Sequence, residues 1–253
     1  MDSRPLRSSS PPLAIELEIE MPASTEREVV FGGRAVSEWL GEDALRFLDA
    51  LRRAGLMRAL VGDELLRIVA AAKSRGLDAR ADVVELYYEG SASSDVGADR
   101  GLEDRVLLVL HRVPATAPGL VARLAALLPE LDGIVLERIG GADDGPLVLR
   151  SGEHLAAVLN DYEELLHTDE IDLREIEARR ARNEGPMVTV RGLVRATNVL
   201  LDRHGVPARL VELKLDEHRE AYVSVTIDAA IDLVRGGWLG DDELEDVMEL
   251  AGW

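Results

Sequence analysis

The sequence predicts an α+β fold made of internally duplicated ββα–α–ββα halves, with antiparallel sheets built from four β-hairpins and with helices packed on the sheets. Three observations lead to this prediction. Segments typical of strands come in adjacent pairs, each pair precedes a segment with helical spacing, and parts of the two halves can be aligned. Adjacent strand pairs indicate antiparallel sheets, because parallel neighbours need a long crossover connection.

The first ββα unit has the clearest pattern. Leu13–Met21 ("LAIELEIEM") alternates apolar and acidic residues, which is typical of a half-buried strand. Residues 27–33 predict a second strand after a short turn, and residues 34–55 then place apolar residues at helical spacing.

The other three units repeat this order of two strands and one helix. Their predicted hairpins lie at 83–113, 134–150 and 209–226, and their predicted helices at 120–131, 151–166 and 227–250. The hairpin at 83–113 contains a long polar loop, and the hairpin at 134–150 contains a Gly/Asp turn.

Two alignments favour an internal duplication. Residues 65–86 can be laid on residues 193–213, and residues 30–40 on residues 149–159. A Trp-Leu-Gly-acid-Asp motif also opens a predicted helix near each end of the sequence. The alternative interpretation is that helix starts resemble one another, because Gly and acidic residues suit that position.

Composition and patterning divide the chain into three regions. Residues 1–12 predict a disordered N-terminal arm, residues 13–130 the first α+β half, and residues 131–253 the second, packed separately or as one continuous body. The highly charged residues 168–186 predict a solvent-exposed connecting helix.

The net charge of −19, from 29 basic and 48 acidic residues, limits the partners that we expect. An acidic chain repels phosphate backbones and anionic lipids, so nucleic-acid and membrane binding are disfavoured. No apolar run reaches the roughly 18–20 residues that span a bilayer, and no secretory signal is visible, so we expect a cytoplasmic protein. The acidic surface suits a basic partner protein.

The usual signatures of catalysis and of metal or cofactor binding are missing from the sequence. There is no cysteine and no Gly-x-Ser-x-Gly, His-Glu-x-x-His or Gly-x-Gly-x-x-Gly motif. Glu164 and His167 form one Glu-x-x-His pair, whereas a di-iron bundle needs two. His154 and His167 are predicted to lie on one helix, too far apart to share a metal. His204 is predicted to end a helix. We expect no metal, cofactor or catalytic residue.

The polar segment at residues 90–104 is the first candidate for a partner contact, since long loops often have functional roles. Two tyrosines end the predicted strand before it, three aspartates lie within it, and a tryptophan is the last residue given. Exposed aromatic residues would be candidate interface anchors. The predicted partner-binding residues are Tyr87, Tyr88, Asp95, Asp99, Asp104 and Trp253.

Three functional hypotheses follow. The first is a non-enzymatic protein-binding module, namely an adaptor, chaperone or accessory subunit of a bacterial multi-protein system. The scarcity of Lys and the absence of Gln, beside abundant Ala and Arg, indicate a GC-rich bacterial genome. The alternatives are an immunity or regulatory protein that neutralises a basic partner by charge complementarity, and a carboxylate-dependent hydrolase or transferase acting near residues 90–104.

Overall fold

Helices and antiparallel sheets make up the described part of the chain, which confirms the α+β class. The computed structural model describes residues 30–31, 34–58, 60, 65, 68, 79–88, 96–110, 116–140, 146–160, 187–216, 218–240 and 247. The predicted arm 1–12, the strand Leu13–Met21 and the charged segment 168–186 lie outside the described residues.

Within these ranges the chain forms six helices and eight strands. In chain order they are β1 (Val30–Phe31), β2 (Arg34–Ala35), α1 (Val36–Arg53), α2 (Ala79–Tyr88), α3 (Val96–Glu103), β3 (Val106–Leu110), α4 (Ala117–Leu127), β4 (Val135–Arg138), β5 (Leu147–Ser151), β6 (His154–Ala157), α5 (Val190–Arg203), β7 (Arg209–Asp216), β8 (Arg219–Val225) and α6 (Ile227–Gly236). The strands pair as β1-β2, β3-β8-β7 and β4-β5-β6, and every pair is antiparallel.

The β3-β8-β7 sheet lies between two hydrophobic clusters. Val106 and Leu108 of β3 belong to one cluster, and Leu107 and Val109 to the other, because alternate residues of a strand point to opposite faces. The first cluster includes α1, α2 and α6, and the second includes α4, α5 and the β4-β5-β6 sheet. Since β3 precedes residue 131 while β7 and β8 follow it, the two predicted halves share this sheet.

Threonine N-caps fix the starts of three helices. Thr116, Thr189 and Thr226 each accept a hydrogen bond from the backbone N–H three residues later, at 3.3, 2.8 and 3.4 Å. Each cap satisfies one of the N–H groups that a helix start leaves unpaired, which typically contributes about 1 kcal/mol. Helix α6 ends at Gly237, whose positive φ of 72° suits glycine.

Residues 83–88 are helical, so the strand predicted there is wrong. Helix α2 buries Ala81, Val84 and Tyr88 on one side and Val83 and Tyr87 on another. A helix buried on nearly all sides has no polar face, so its sequence shows no helical period, and its β-branched and aromatic residues imitate a strand. Strand β3, predicted to pair with this segment, pairs with β8 instead.

Two further predictions need correction. Residues 96–103 form helix α3, although residues 90–104 were predicted to be a hairpin loop. Residues 154–157, predicted to be helical, form β6 and pair with β5. A tight turn at Gly152, with a φ of 56°, joins those two strands and sets their register.

The segments aligned as duplicates agree at one place and differ at another. Val30–Phe31 pairs with Arg34–Ala35, and residues 149–151 of β5 likewise pair with the strand that begins at His154. However, residues 84–86 are helical while their counterparts at 211–213 lie in β7. The two alignments therefore bring together segments of similar structure in one case and of different structure in the other.

The two Trp-Leu-Gly motifs also have different surroundings. In the first, Gly41 interrupts α1 with a φ of 79° and a ψ of 157°. In the second, residues 238–240 are extended along β7, so the helix predicted for 227–250 is confirmed only over 227–236 and at Val247. The Lys214 N–H donates to the Trp238 carbonyl at 2.7 Å, and the Gly240 N–H donates to the Glu212 carbonyl at 3.0 Å.

Candidate functional site

An open apolar cavity of about 340 Å³ lies between α3, α4 and the outer edge of β3. We call it the α3/α4 groove. Its lining residues are Tyr88, Gly101, Leu102, Val106, Leu108, Ala122, Arg123, Ala126 and Leu127. Leu102, at 46% exposure, is the large apolar side chain that the groove presents most openly to solvent.

The bottom of the groove is the edge of β3 that faces away from β8. The Ser224 N–H donates to the Arg105 carbonyl at 3.0 Å, so the backbone groups of Val106 and Leu108 point to the opposite edge. There the Arg123 guanidinium donates to the Leu108 carbonyl at 2.6 Å. A Cβ at Gly101 would lie 3.2 Å from the Val106 carbonyl, so α3 approaches this edge closely. Helix α3 and the Arg123 side chain thus cover this edge of β3, and the groove beside it offers space for side chains.

The other edge of this sheet, along β7, is closed by hydrogen bonds. The Asn198 side chain accepts from the Leu210 N–H at 2.8 Å and donates to the Leu210 carbonyl at 2.9 Å. Farther along, residues 238–240 bond to β7 as a short added strand. The two edges therefore differ: β7 is paired with backbone and amide groups, whereas β3 borders a cavity.

The Asp104 carboxylate connects the groove to the core. Its Oδ2 atom accepts from the Met57 N–H at 2.8 Å and from the Tyr88 hydroxyl at 2.9 Å. Burial, and then the Asp104 charge and hydrogen bond, raise the pKa of Tyr88 well above its ordinary value. The Arg100 guanidinium lies 4.7 Å from the centre of the Tyr87 ring, a cation–π contact between α3 and α2.

Arg123 is the cationic side chain of the groove. Partial burial against β3 lowers its pKa. None of the described carboxylates lies within ion-pair distance of it, whereas Arg105 pairs with Glu130. The groove therefore combines an apolar lining with a cation whose charge is not balanced by the described residues.

The predicted partner-binding residues have different positions in the structure. Tyr87 and Tyr88 are only 1% and 5% exposed, so they belong to the core and are not exposed anchors. Tyr88 lines the inner wall of the groove, and Asp104 has the structural bonds described above. Asp99 lies on α3, whose side chains before Arg100 are outside the description.

Asp95 and Trp253 lie outside the described residues, and their predicted role stays a prediction. The sequence reasoning missed Leu102 and Arg123. The signal for Leu102 was visible, since it is an isolated large apolar residue in the polar segment 90–104.

A Ser–His pair occurs elsewhere, at the end of β5. Ser151 Oγ lies 2.9 Å from His204 Nε2, and the His154 and His204 rings form an edge-to-face pair with centres 4.7 Å apart. A nucleophilic serine needs access to substrate, but Ser151 is completely buried. The pair joins β5 to the end of α5, where His204 is the C-cap as predicted.

This pair also corrects the position predicted for His154, which lies on strand β6 and not on a helix shared with His167. His167 and Glu164 lie outside the described residues.

A buried ionic cluster joins β8 to α2. The Arg219 guanidinium donates to Asp82 at 2.6 Å, to Glu85 at 3.0 Å, and also to Asp216. Burial alone would lower the pKa of Arg219, but its bonds to Asp216 and Asp82 raise it. Burial alone would raise the pKa of Asp216, but the hydrogen bonds from Arg219 and from the His218 N–H lower it. We assign this cluster to fold stability.

Comparison of the chain with protein-family models, curated proteins and solved structures gave no match. In the described ranges, every helix is too short or too polar to cross a bilayer. In the same ranges, no three His, Asp or Glu side chains are placed to hold a metal ion together.

Proposed function

We propose that this chain is a non-enzymatic protein-binding module, and that the α3/α4 groove receives an apolar side chain from an extended segment of a partner protein. The observation that supports this most is the exposed apolar groove itself. Charged residues make up 30% of the chain, and yet Leu102 opens to solvent beside an apolar cavity. Exposed apolar patches with a polar rim are typical of interaction sites.

The lining of the groove favours binding over catalysis. Tyr88 and Arg123 have the polar side chains among its lining residues. The Tyr88 hydroxyl is already bonded to Asp104, and the raised pKa of Tyr88 opposes its use as a base near neutral pH. These groups suit recognition, in which an apolar pocket supplies affinity and a few polar groups orient the occupant.

The partner that we propose has a basic surface. The net charge of −19 favours association with a cationic body, and complementary charge accelerates encounter more than it increases affinity. An adaptor or chaperone and an immunity protein share this property. They differ in the partner captured, which is a component of a multi-protein system in the first case and a toxic enzyme in the second.

The test compares partner capture by three forms of the chain: the unchanged protein, Leu102→Glu, and the control Val199→Glu. Leu102 and Val199 are exposed at 46% and 42% on helix surfaces, and only Leu102 lines the groove. We expect a stoichiometric partner that Leu102→Glu loses and Val199→Glu retains, with unchanged circular dichroism. Equal capture by all three forms would contradict the proposal.

A further inference from the structure

Arg123 gives the groove a second chemical property beyond its apolar lining. The pKa of its guanidinium is lowered by burial, and the interaction that the described residues supply is one hydrogen bond to the Leu108 carbonyl. A guanidinium has five N–H donors, so most of its donor capacity remains for another acceptor. An anionic acceptor would also offset the cost of partial desolvation.

Several other arginines of this acidic chain have carboxylate partners. Arg150 pairs with Glu137 at 2.6 Å, and Arg209 pairs with Asp202 at 2.9 Å. Arg123 has no carboxylate partner among the described residues, and unlike the exposed Arg203 it lines a cavity. Its position in a cavity suggests that the partner comes from outside.

Two carboxylates on the elements that border the groove have other partners. Glu130 is paired with Arg105. Asp104 accepts hydrogen bonds from Met57 and Tyr88. Neither group forms an ion pair with Arg123, which leaves its guanidinium available to an incoming anion.

We propose that the α3/α4 groove recognises the free C-terminus of the partner polypeptide. This inference rests on the proposed function. The last side chain, an apolar one, enters the cavity between Leu102 and Leu127, and the terminal carboxylate accepts hydrogen bonds from Arg123. The planar guanidinium matches a carboxylate with two parallel hydrogen bonds.

A C-terminus fits this combination better than an internal segment. At a C-terminus, the apolar side chain and the carboxylate are attached to the same Cα, so one small cavity accommodates both. In an extended internal segment, neighbouring side chains point to opposite sides. Its backbone would have to bond to β3, where Gly101 and Arg123 already cover the edge.

The test uses two probe peptides, acetyl-Lys-Ala-Lys-Ala-Ala-Leu with a free carboxylate and the same peptide with a C-terminal carboxamide. Binding is followed by isothermal titration and by backbone amide chemical shifts. We expect the free acid to bind the unchanged protein at least about tenfold more tightly than the carboxamide, as a charge-assisted hydrogen bond allows. Arg123→Gln is expected to reduce the difference between the two peptides to less than about twofold.

The control Arg203→Gln removes the same charge from an exposed position on α5 and should leave the preference for the free acid unchanged. Arg123→Lys keeps the charge without the planar fork and should retain part of the preference. Thermal melting of each variant verifies folding. If Arg123→Gln does not fold, the acid-to-carboxamide ratio on the unchanged protein, compared with that on Arg203→Gln and Arg123→Lys, decides the question.

Three results would overturn this inference. Equal affinity for the acid and the carboxamide would show that the groove does not recognise the terminal carboxylate. Arg123-dependent binding of decanoate that exceeds binding of the peptide acid would assign the groove to a small amphipathic acid. Failure of both peptides, beside a partner whose capture depends on Leu102, would reject the C-terminus and keep the protein-binding function.

Discussion

The Tyr88 hydroxyl donates a 2.9 Å hydrogen bond to Asp104 Oδ2, and this bond connects the inner wall of the groove to the turn that follows α3. The same oxygen accepts from the N–H of Met57, which lies just after α1 and has a left-handed φ of 49°. One carboxylate thereby positions three parts of the chain. These bonds hold the end of α3 against α2 and against the residues that follow α1, and Tyr88 thereby keeps its place in the groove wall.

Loss of the Tyr88 hydroxyl should destabilise the fold. We expect Tyr88→Phe to lower the free energy of unfolding by about 1.5–3 kcal/mol, the usual contribution of a hydrogen bond to a charged group. Urea denaturation measures it. Because both residues act through one bond, Asp104→Asn combined with Tyr88→Phe should cost less than the sum of the single changes. Strict additivity would show that the bond contributes nothing.

The alkaline titration of tyrosine absorbance should show that Tyr88 stays protonated at the pH where ordinary tyrosines ionise. Its folded pKa is raised above the unfolded value of about 10. The stability from this group is therefore fully present below pH 10 and is lost as the pH rises further. Absorbance at 295 nm should rise equally in the unchanged protein and in Tyr88→Phe up to that pH. Loss of a phenol that titrates near pH 10 in the variant would contradict the assignment.

The ionic cluster should make stability depend on acid pH through Asp216. Its folded pKa is lowered below the unfolded value of about 3.9. The stabilisation is therefore present above about pH 4 and is lost as the pH falls through the folded pKa. Asp216→Asn should lower the melting temperature at pH 7, and the difference should shrink toward pH 3. The control Asp232→Asn affects an exposed pair with Arg235 and should change stability by less than about 1 kcal/mol.

Removal of the buried Arg219 side chain should be among the most destabilising substitutions in this chain. Arg219→Met leaves Asp82 and Glu85 buried without their cation, which typically costs about 3–5 kcal/mol. A variant as stable as the unchanged protein at pH 7 would show that the cluster has no role in holding α2 against β8.

The contact between α6 and Trp238 predicts that replacing Gly236 by alanine destabilises the fold, although alanine favours helices. A Cβ at Gly236 would lie 2.0 Å from Trp238 Nε1, so the indole must move from its place 5.3 Å from the Phe47 ring. Gly236→Ala should therefore destabilise the fold by about 1–3 kcal/mol, although alanine is the better helix former. Gly240→Ala is the matched control, since its Cβ would meet only ordinary contacts with Glu212. Thermal denaturation of both variants measures the difference.

Local patterns were sufficient to predict much of the fold. Helical spacing predicted α4 and α5, and adjacent strand-like segments predicted the β7–β8 and β4–β5 hairpins. These elements have one apolar and one polar face, or a turn with a distinct composition, so neighbours in sequence contain the necessary information. The α+β class and the antiparallel pairing follow from such local signals.

The candidate site could be predicted only in part. The segment 90–104, predicted as the first candidate for a partner contact, includes the groove residues Gly101 and Leu102. The tyrosines chosen as exposed anchors are buried, because exposure depends on what packs over a residue. The helix that contains Arg123 was predicted, but no functional role was assigned to it. The contact of Arg123 with Leu108 joins two different elements, so local sequence patterns do not indicate it.

The sequence by itself determined the acidic charge, the α+β class, several helices and two of the hairpins, since these depend on composition and on residues within one or two turns of each other. Only the tertiary structure decided that residues 83–88 form a helix, that β3 pairs with β8, and that Arg219 meets Asp82 across 137 positions. The physical reason for the first is that a helix buried on nearly all sides has no polar face, so its sequence does not show the helical period. Long-range pairing, likewise, is chosen by the packing of the whole core and not by any local pattern.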